Sequence, residues 1–223
     1  MKRILILVAS VLLLALPFGA GAQDTNGLPP EVYYLLPSFS TGTVYFKGKA
    51  PAEGELNICA LDHKLRFIEP GTGRELEVIN VDEVVMVYID GIRFLRYKEA
   101  FYRQYPVSMD MGVALKRDVK DMRKVRKGAY GNAANSSAVH QGSWTLYTDD
   151  LPYQVSSDKV EYDIDERVYL YKGNEVYTFT KANLRKLLPE KKAVIDAWFK
   201  GPHTLPENAQ EAVELLDSWM KAN

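Results

Sequence analysis

The first residues that could do chemistry are carboxylates. Glu161, Asp163 and Asp165 occupy alternate positions of a predicted strand, so their side chains point to the same side of it. Oxygen-rich clusters of this kind can hold calcium. The calcium-loop pattern is absent, because Arg167 stands where the third oxygen ligand is needed and Val168 replaces the turn glycine. We therefore predict a solvated strand face and no metal site.

Carboxylates could also act in pairs, as they do in enzymes that hydrolyse glycans or peptides. Asp149, Asp150, Glu161 and Asp163 are the candidates for such a pair. A hydrolase would require two of them to converge in a cleft, with the pKa of one raised by burial.

The three histidines show no metal-binding pattern. His63, His140 and His203 have neither the paired spacing of a zinc protease nor the finger spacing of a structural zinc site. A nucleophile elbow, a phosphate-binding glycine loop and a dinucleotide fingerprint are also absent, so the sequence predicts no cofactor. A triad of distant residues, for example Ser136 or Ser137 with His140, would need geometry that only the fold can supply.

The single cysteine, Cys59, cannot form an intramolecular disulfide. In an oxidising compartment the fold must therefore be stabilised by packing alone. Cys59 lies in an apolar stretch, where free cysteines are usually buried. Only His63 and Lys64 stand near it in sequence as activating groups. We predict a core residue rather than a nucleophile.

The strongest local charge feature is the segment 116–127, which has seven basic and two acidic residues. It could contact anionic lipid headgroups or lipopolysaccharide phosphates. It contains no interleaved aromatic residue, so stacking on nucleic acid is not predicted. The alternative is a solvated connector, since charge runs are usually exposed. For a binding module, the predicted contact residues are Tyr33, Tyr34, Lys120, Arg123, Lys124 and Arg126.

The N-terminal residues predict an export signal, and the strands and helices that position the candidate residues come after it in the chain. Lys2 and Arg3 precede an apolar run over residues 4–16, which is shorter than the roughly 20 residues of a membrane span. The small residues Ala20-Gly21-Ala22 then predict cleavage before Gln23. The expected product is periplasmic or secreted, with no transmembrane segment after cleavage.

Composition indicates a β-rich domain after residue 22. The mature net charge is near −3, because the signal removes two of the 28 basic residues and all 29 acidic residues remain. This balance gives no case for nucleic acid as a partner. Fourteen tyrosines and eight phenylalanines favour strands over a helical bundle.

Short apolar runs separated by turn residues predict antiparallel strands. Asp90-Gly91 is among the strongest hairpin signals. Prolines predict extended or turn structure, not helix, in residues 23–40. Residues 128–143 have few core-forming side chains and predict an exposed loop. The predicted strands are 42–48, 54–60, 64–69, 75–79, 84–89 and 92–97, two more within 100–117, then 144–148, 159–171 and 175–179.

The C-terminal 43 residues change to helical periodicity. Val194, Ile195, Trp198 and Phe199 form one apolar stripe, which Gly201-Pro202 ends. Thr204 and Glu207 predict a capping box, with Pro206 early in the turn that opens the last helix. The predicted buried face of that helix is formed by Ala209, Ala212, Val213, Leu216, Trp219 and Met220.

These elements predict an α+β fold. Its main part is an antiparallel β-sheet, either a meander or a partly closed barrel, and a C-terminal pair of amphipathic helices packs on it. The predicted division is a signal peptide at 1–22, a β-rich domain at 23–179 and a helical segment at 180–223 on the same domain.

Several short segments of this sequence occur in an order that is also found in a known group of proteins. They are Leu36-Pro37-Ser38-Phe39, Gly42-Thr43-Val44-Tyr45-Phe46-Lys47-Gly48, Leu56-Asn57, Leu65-Arg66-Phe67-Ile68, Val84-Val85-Met86-Val87, Gly128-Ala129-Tyr130-Gly131 and residues 181–192. The series resembles small exported proteins of the Bacteroidota, in which a G-x-V-x-F strand opens a β-rich domain. The resemblance implies a helical segment at 181–192 and a Gram-negative envelope or secreted location. It transfers no active-site residue.

Taken together, the sequence predicts a non-enzymatic binding module of the cell envelope. Its expected partner is an envelope protein or an anionic envelope surface. The alternatives are an envelope glycan or peptide hydrolase with paired carboxylates, and an oligomeric structural or adhesive protein with exposed strand edges.

Overall fold

The computed structural model describes residues 28–127, 133–134 and 159–221. Ten of its strands form one antiparallel sheet that ends in two separate edge strands, and a short eleventh strand pairs with the longest of the ten. The predicted antiparallel meander is confirmed. The strands are β1 Ser40–Phe46, β2 Ala52–Ile58, β3 Leu65–Ile68, β4 Glu75–Glu77, β5 Val84–Ile89, β6 Ile92–Tyr97, β7 Ala100–Pro106, β8 Met111–Lys127, β9 Ala133–Ala134, β10 Lys159–Lys172 and β11 Glu175–Thr178.

The sheet consists of two meanders joined side by side. Its strand order is β11-β10-β8-β7-β6-β5-β1-β2-β3-β4, and β9 pairs with β8. The chain runs outward through β1 to β4, returns through the 3-10 turn Val81–Glu83, and places β5 beside β1. The turn between β5 and β6 is the predicted one, because Asp90 and Gly91 have φ angles of 46° and 75°, as a type I′ turn requires.

Residues 116–127 are the main departure from the predicted strands. They form the second half of β8, so the connector interpretation is wrong. Acidic residues of β10 lie opposite the basic ones of β8 in the pairs Arg117–Glu166, Lys120–Asp163 and Arg123–Glu161. Opposite charges across an antiparallel pair are stabilising, and they favour a strand here. The ladder also opposes the like charges Asp118–Asp165 and Lys116–Arg167, but Lys116 binds Asp118 and Arg167 binds Asp165, so these four charges neutralise one another. The predicted strand at 144–148 lies outside the described residues, as does all of the predicted loop 128–143 except β9.

The N-terminal segment also differs from its prediction. Residues Pro30–Tyr33 form a single helical turn, α1, where extended or turn structure was expected. Proline is compatible with the first turn of a helix, because the N–H that it lacks would have no partner within the helix. Residues 33–35 then run beside the end of β2, with hydrogen bonds Leu35 N–H to Ile58 O and Ala60 N–H to Tyr33 O.

Three helices follow the sheet: α2 Lys181–Leu187, α3 Lys192–Lys200 and α4 Ala209–Lys221. The stripe in residues 194–199 is confirmed as part of α3, and α2 is the segment that the resemblance implied. The predicted Thr204–Glu207 capping box is wrong. Asn208 caps α4 instead, because its Oδ1 accepts the Glu211 N–H at 2.9 Å while its amide donates to the Glu211 carboxylate at 2.7 Å.

The sheet has two faces with different coverings. Val113 of β8 and Leu170 of β10 lie on the face that we call the helix face, where they pack with Ile195 of α3 and Leu216 of α4. The same face carries a second core, which includes Phe94 and is formed by β1, β2, β3, β5, β6 and β7 with adjoining loops. No helix in the described ranges is both long and apolar enough to span a membrane.

Candidate functional site

The loop that joins β2 to β3, residues 59–64, connects three parts of the chain. Cys59 at its start forms an isolated bridge with Tyr34 of the N-terminal segment. Asp62 binds Arg66 of β3, with 2.8 Å between Oδ2 and Nη2. His63 reaches across to Asp118 of β8. The loop therefore joins the surroundings of Tyr34 to the charged half of β8.

On the β3–β4 side of this loop, a tyrosine and three carboxylates, those of Asp62, Glu75 and Glu77, lie around Arg66. The Tyr34 hydroxyl donates to Glu75 Oε2 at 2.8 Å, and burial together with this carboxylate raises the pKa of Tyr34. Burial also raises the pKa of Glu75, although the Tyr34 hydrogen bond and the Arg66 charge oppose it. Arg66 lies 3.7 Å from Glu77 on its other side. Because charges of both signs meet here and Tyr34 is only 4% exposed, the cluster fastens the N-terminal segment to the sheet.

On the β8 side, His63 and Lys116 both bind one buried carboxylate. His63 Nε2 lies 2.8 Å from Asp118 Oδ1, and Lys116 Nζ lies 2.7 Å from the same oxygen. Burial disfavours the ionised carboxylate, but the hydrogen bonds from His63 and Lys116 outweigh burial. They lower the pKa of Asp118 from 3.8 to about 2. A histidine paired with an aspartate is two thirds of a hydrolase triad.

The paired state of Asp118 makes acid stability a testable property. A lowered folded-state pKa stabilises the fold above the unfolded-state pKa, and this contribution is lost as the pH falls through the folded value. We expect Asp118 to contribute about 2 kcal/mol at neutral pH, lost between about pH 4 and pH 2. Urea unfolding of wild type and Asp118→Asn across this range would measure it.

The Asp118→Asn variant should be less stable at neutral pH and should lose less stability on acidification than wild type. Asp163→Asn is the matched control, since Asp163 is an exposed carboxylate on the neighbouring strand. Equal pH slopes for wild type and Asp118→Asn would contradict the assignment of acid sensitivity to this residue.

Cys59 cannot supply the missing nucleophile as it stands. Its side chain is 0% exposed, and burial, followed by the negative charge of Asp62, raises the pKa of the thiol to about 12. The nucleophile of a thiol enzyme is the thiolate, so this environment opposes reactivity. The structure agrees with the predicted core role.

We expect the Cys59 thiol of the folded protein to be inert to a water-soluble disulfide reagent. Reaction should require unfolding, because the sulfur has no contact with solvent. The same sample in concentrated denaturant is the control and should release one equivalent per chain. Rapid labelling under native conditions would show that the β2–β3 loop opens.

In the basic half of β8, the basic side chains that the structure describes form ion pairs with carboxylates. Lys120 forms an ion pair with Asp165, and Arg117 Nε lies 2.7 Å from Glu166 Oε1. Arg123, Lys124 and Arg126 lie in the same strand, but their side chains lie outside the described set. Of the predicted contact residues whose side chains are described, Tyr33 packs in one apolar cluster with Val119 and Met122 of β8, the Tyr34 hydroxyl binds Glu75, and Lys120 binds Asp165.

The remaining candidates do not converge in the described part of the chain. Glu161 and Asp163 are exposed on β10, and Asp165 binds Arg167 at 2.7 Å in addition to Lys120. Across residues 28–127, 133–134 and 159–221, no group of three or more potential ligands could hold a metal ion. His203 stacks on Trp198, with ring centroids 5.0 Å apart and an interplanar angle of 9°. Ser136, Ser137, His140, Asp149 and Asp150 lie outside the described residues.

The face opposite the helix face carries six of the tyrosines, and we call it the tyrosine face. Strand register places their side chains together, because residues directly paired across strands point to the same face. Tyr102 of β7 lies at the centre, with its ring centroid 6.4 Å from Tyr97 and 5.3 Å from Tyr169. Burial, followed by the charges of neighbouring groups, raises the pKa of Tyr102 to about 12. The six are Tyr45, Tyr88, Tyr97, Tyr102, Tyr169 and Tyr171.

The centre of the tyrosine face is packed and its margin is exposed. Tyr102 and Tyr171 are 9% and 4% exposed, whereas Tyr45 and Tyr88 are each 41% exposed. The buried cluster consists of side chains from β6, β7, β8, β10 and β11, so the sheet forms it from its own residues. The packed centre is therefore bordered by a rim on which the rings of Tyr45 and Tyr88 are accessible.

One cation, Arg93, and one amide, Gln104, lie among these tyrosines. Arg93 is paired with Tyr88 in register, and its charge acts on Tyr171. In the part of the chain that the structure describes, no carboxylate forms an ion pair with Arg93. Gln104 lies beside it, one residue beyond the last β6–β7 pair. The Gln104 side chain is 7% exposed, and its Oε1 finds no hydrogen-bond donor among the described residues.

Sequence reasoning missed Arg93 and Gln104. Their neighbours in sequence are ordinary strand residues, and only the register of four strands reveals that they adjoin the tyrosines. Alternation within β6 and β10 could have indicated which side each tyrosine faces. Alternation within a strand could not have indicated that the tyrosines of different strands lie on the same face of the sheet.

No protein-family model matches this chain, and no curated protein or solved structure matches it either.

Proposed function

We propose that this chain is an exported, non-enzymatic binding module of the cell envelope, and that the tyrosine face contacts its partner. One observation carries the proposal: the accessible Tyr88 is paired with Arg93, a cation without a carboxylate partner in the described residues, and the accessible Tyr45 lies on the same face. Tyrosine and arginine are enriched at protein interfaces, where rigid rings supply contact area and the guanidinium binds carboxylates or phosphates. The partner is therefore an envelope component that presents negative charge.

The charged clusters around the β2–β3 loop support a binding role over a hydrolytic one. The His63–Asp118 pair is held by Lys116, and Glu75 is bound to Tyr34. The described ion pairs and hydrogen bonds of these carboxylates are to neighbouring residues of the fold, as expected of contacts that hold a fold together, and His63 Nδ1 has no partner among the described residues. The tyrosine face instead offers the Arg93 guanidinium, which is only partly buried and which no carboxylate binds among the described residues.

Photo-crosslinking in the intact native envelope tests this proposal. A photoreactive residue placed at position 88, on the rim of the tyrosine face, should yield a discrete adduct that mass spectrometry identifies. The matched control is the same residue at position 205, because Leu205 is 50% exposed and lies between α3 and α4. The control should yield no such adduct.

Arg93→Glu in the position-88 background tests the charge of the partner. The reversal should abolish the adduct, because it replaces attraction by repulsion at the centre of the contact. Circular dichroism of the variant verifies that the sheet is intact. Equal crosslinking at positions 88 and 205, or an adduct that survives Arg93→Glu, would overturn the proposal. The mass of the exported protein would also show whether it begins at Gln23.

A further inference from the structure

The outer edge of β10 is a second surface, separate from the tyrosine face. β11 pairs with β10 only over residues 169–172. Among the described residues, no strand pairs with the same edge over residues 160–168, while β8 occupies the other edge. An unpaired strand edge presents a row of N–H and C=O groups that another strand can bind.

The geometry of the β10–β11 hairpin determines which residues point outward. Lys172 and Glu175 close its two-residue turn, so they form the hydrogen-bonded pair next to the loop. Backbone groups alternate in direction along a strand. The even-numbered residues of β10 therefore direct N–H and C=O toward this edge, and Ile164 lies at the midpoint of the free stretch 160–168.

We propose that this edge pairs with β10 of a second copy of the chain, antiparallel and centred on Ile164. A two-fold axis at Ile164 places every outward-directed residue opposite another one, as the hydrogen-bond ladder requires. Ile164, which is 46% exposed, then packs against its own copy. The same register sets Val160 opposite Val168 and Glu161 opposite Arg167 of the second copy, twice each by symmetry.

The charges of the edge favour this partner over an unrelated strand. Shifting the axis by one residue toward the N-terminus would oppose Glu161 to Asp165 and Lys159 to Arg167, which are like charges. In the register centred on Ile164, the only like-charged opposition is Asp163 with Asp165. The Asp165 carboxylate is already bound by Lys120 and Arg167, which reduces that repulsion. An axis shifted by one residue toward the C-terminus would oppose Asp163 to Arg167, but it would leave only residues 162–168 of the free stretch to pair, because β11 covers residues 169–172. The edge is thus self-complementary, and the axis at Ile164 is the one that uses the whole stretch 160–168.

Sedimentation equilibrium of the mature protein tests the proposal directly. We expect a dimer mass at micromolar concentrations. Ile164→Pro should give a monomer, because it removes an outward N–H that the β8 ladder does not use, and proline is tolerated at such edge positions. Ile164→Val is the matched control. It keeps the N–H and the branched side chain and should remain dimeric.

Charge reversal tests the register. Glu161→Arg or Arg167→Glu alone should weaken association about tenfold, and the double variant should recover it. Hydrogen exchange adds a second measurement, because dimer formation should protect the even-numbered amides within residues 160–168, which point to the free edge. A monomeric wild type would overturn the proposal whether or not these amides are protected, since protection in a monomer would mean that the chain covers its own edge. A dimer unchanged by Ile164→Pro would overturn it as well. None of these outcomes bears on crosslinking through position 88, so the two proposals fail separately.

Discussion

Replacing Trp219 with alanine is expected to lower the free energy of unfolding by about 3–5 kcal/mol. Trp219 of α4 is 3% exposed and belongs to the core that joins the C-terminal helices to β8 and β10. Its ring contacts Trp198 of α3, with centroids 5.6 Å apart at an angle of 78°. The substitution removes this contact and leaves a cavity that neighbouring side chains fill only in part.

Denaturant unfolding followed by far-UV and near-UV circular dichroism would measure the effect. The neighbouring substitution Ser218→Ala is the control. Ser218 is exposed, and a surface change of this kind should alter stability by no more than about 0.5 kcal/mol. The two spectral signals should change together, because the helices and the sheet share one core. A loss of helix at lower denaturant than loss of sheet would show that residues 180–223 are a separate unit.

Replacing Gly112 with alanine should destabilise the protein by about 1–3 kcal/mol, although the change adds a single methyl group. A Cβ atom at Gly112 would lie 2.3 Å from the Tyr105 carbonyl oxygen and 2.9 Å from Pro106 Cα, both of them backbone atoms of β7. It would also lie 2.9 Å from the Tyr171 ring. Because the backbone must shift to relieve these contacts, the β7–β8 pairing and the tyrosine face would be disturbed together.

The strand glycine Gly54 is the matched control for this prediction. A Cβ there would have its nearest contact at 3.9 Å, an ordinary van der Waals distance. Gly54→Ala should therefore be neutral or stabilising by up to about 1 kcal/mol, since alanine reduces the freedom of the unfolded chain. Thermal or urea unfolding of both variants would test the contrast. Equal effects at the two positions would show that close packing at Gly112 is not the cause.

Local signals predicted the elements that depend on local chemistry. The β5–β6 hairpin was predicted at its observed bounds, 84–89 and 92–97, because Asp90-Gly91 can adopt the two left-handed conformations of a tight turn. The stripe in α3 was predicted because four apolar residues follow the helical repeat. The cap of α4 was assigned four residues too early, since Asn208–Glu211 and Thr204–Glu207 have the same spacing and only the folded chain distinguishes them.

The charged segment 116–127 shows where local signals are insufficient. Its composition favours solvent exposure, and the residues that make it a strand are more than thirty positions away on β10. Local spacing also failed to predict which carboxylates lie close together in the fold. Those that meet in the structure are Asp62, Glu75 and Glu77 around Arg66, and none was a candidate from its spacing.

By itself, the sequence determined that this chain forms short antiparallel strands followed by amphipathic helices, because turns and periodic stripes depend on neighbouring residues. The tertiary structure alone decided that β5 lies beside β1, that the basic half of β8 faces acidic β10, and that tyrosines of β1, β5, β6, β7 and β10 share one face with Arg93. The physical reason is register. A one-residue slip would turn a strand's side chains to the opposite face, and the register is chosen by burial and pairing energies summed over the whole sheet.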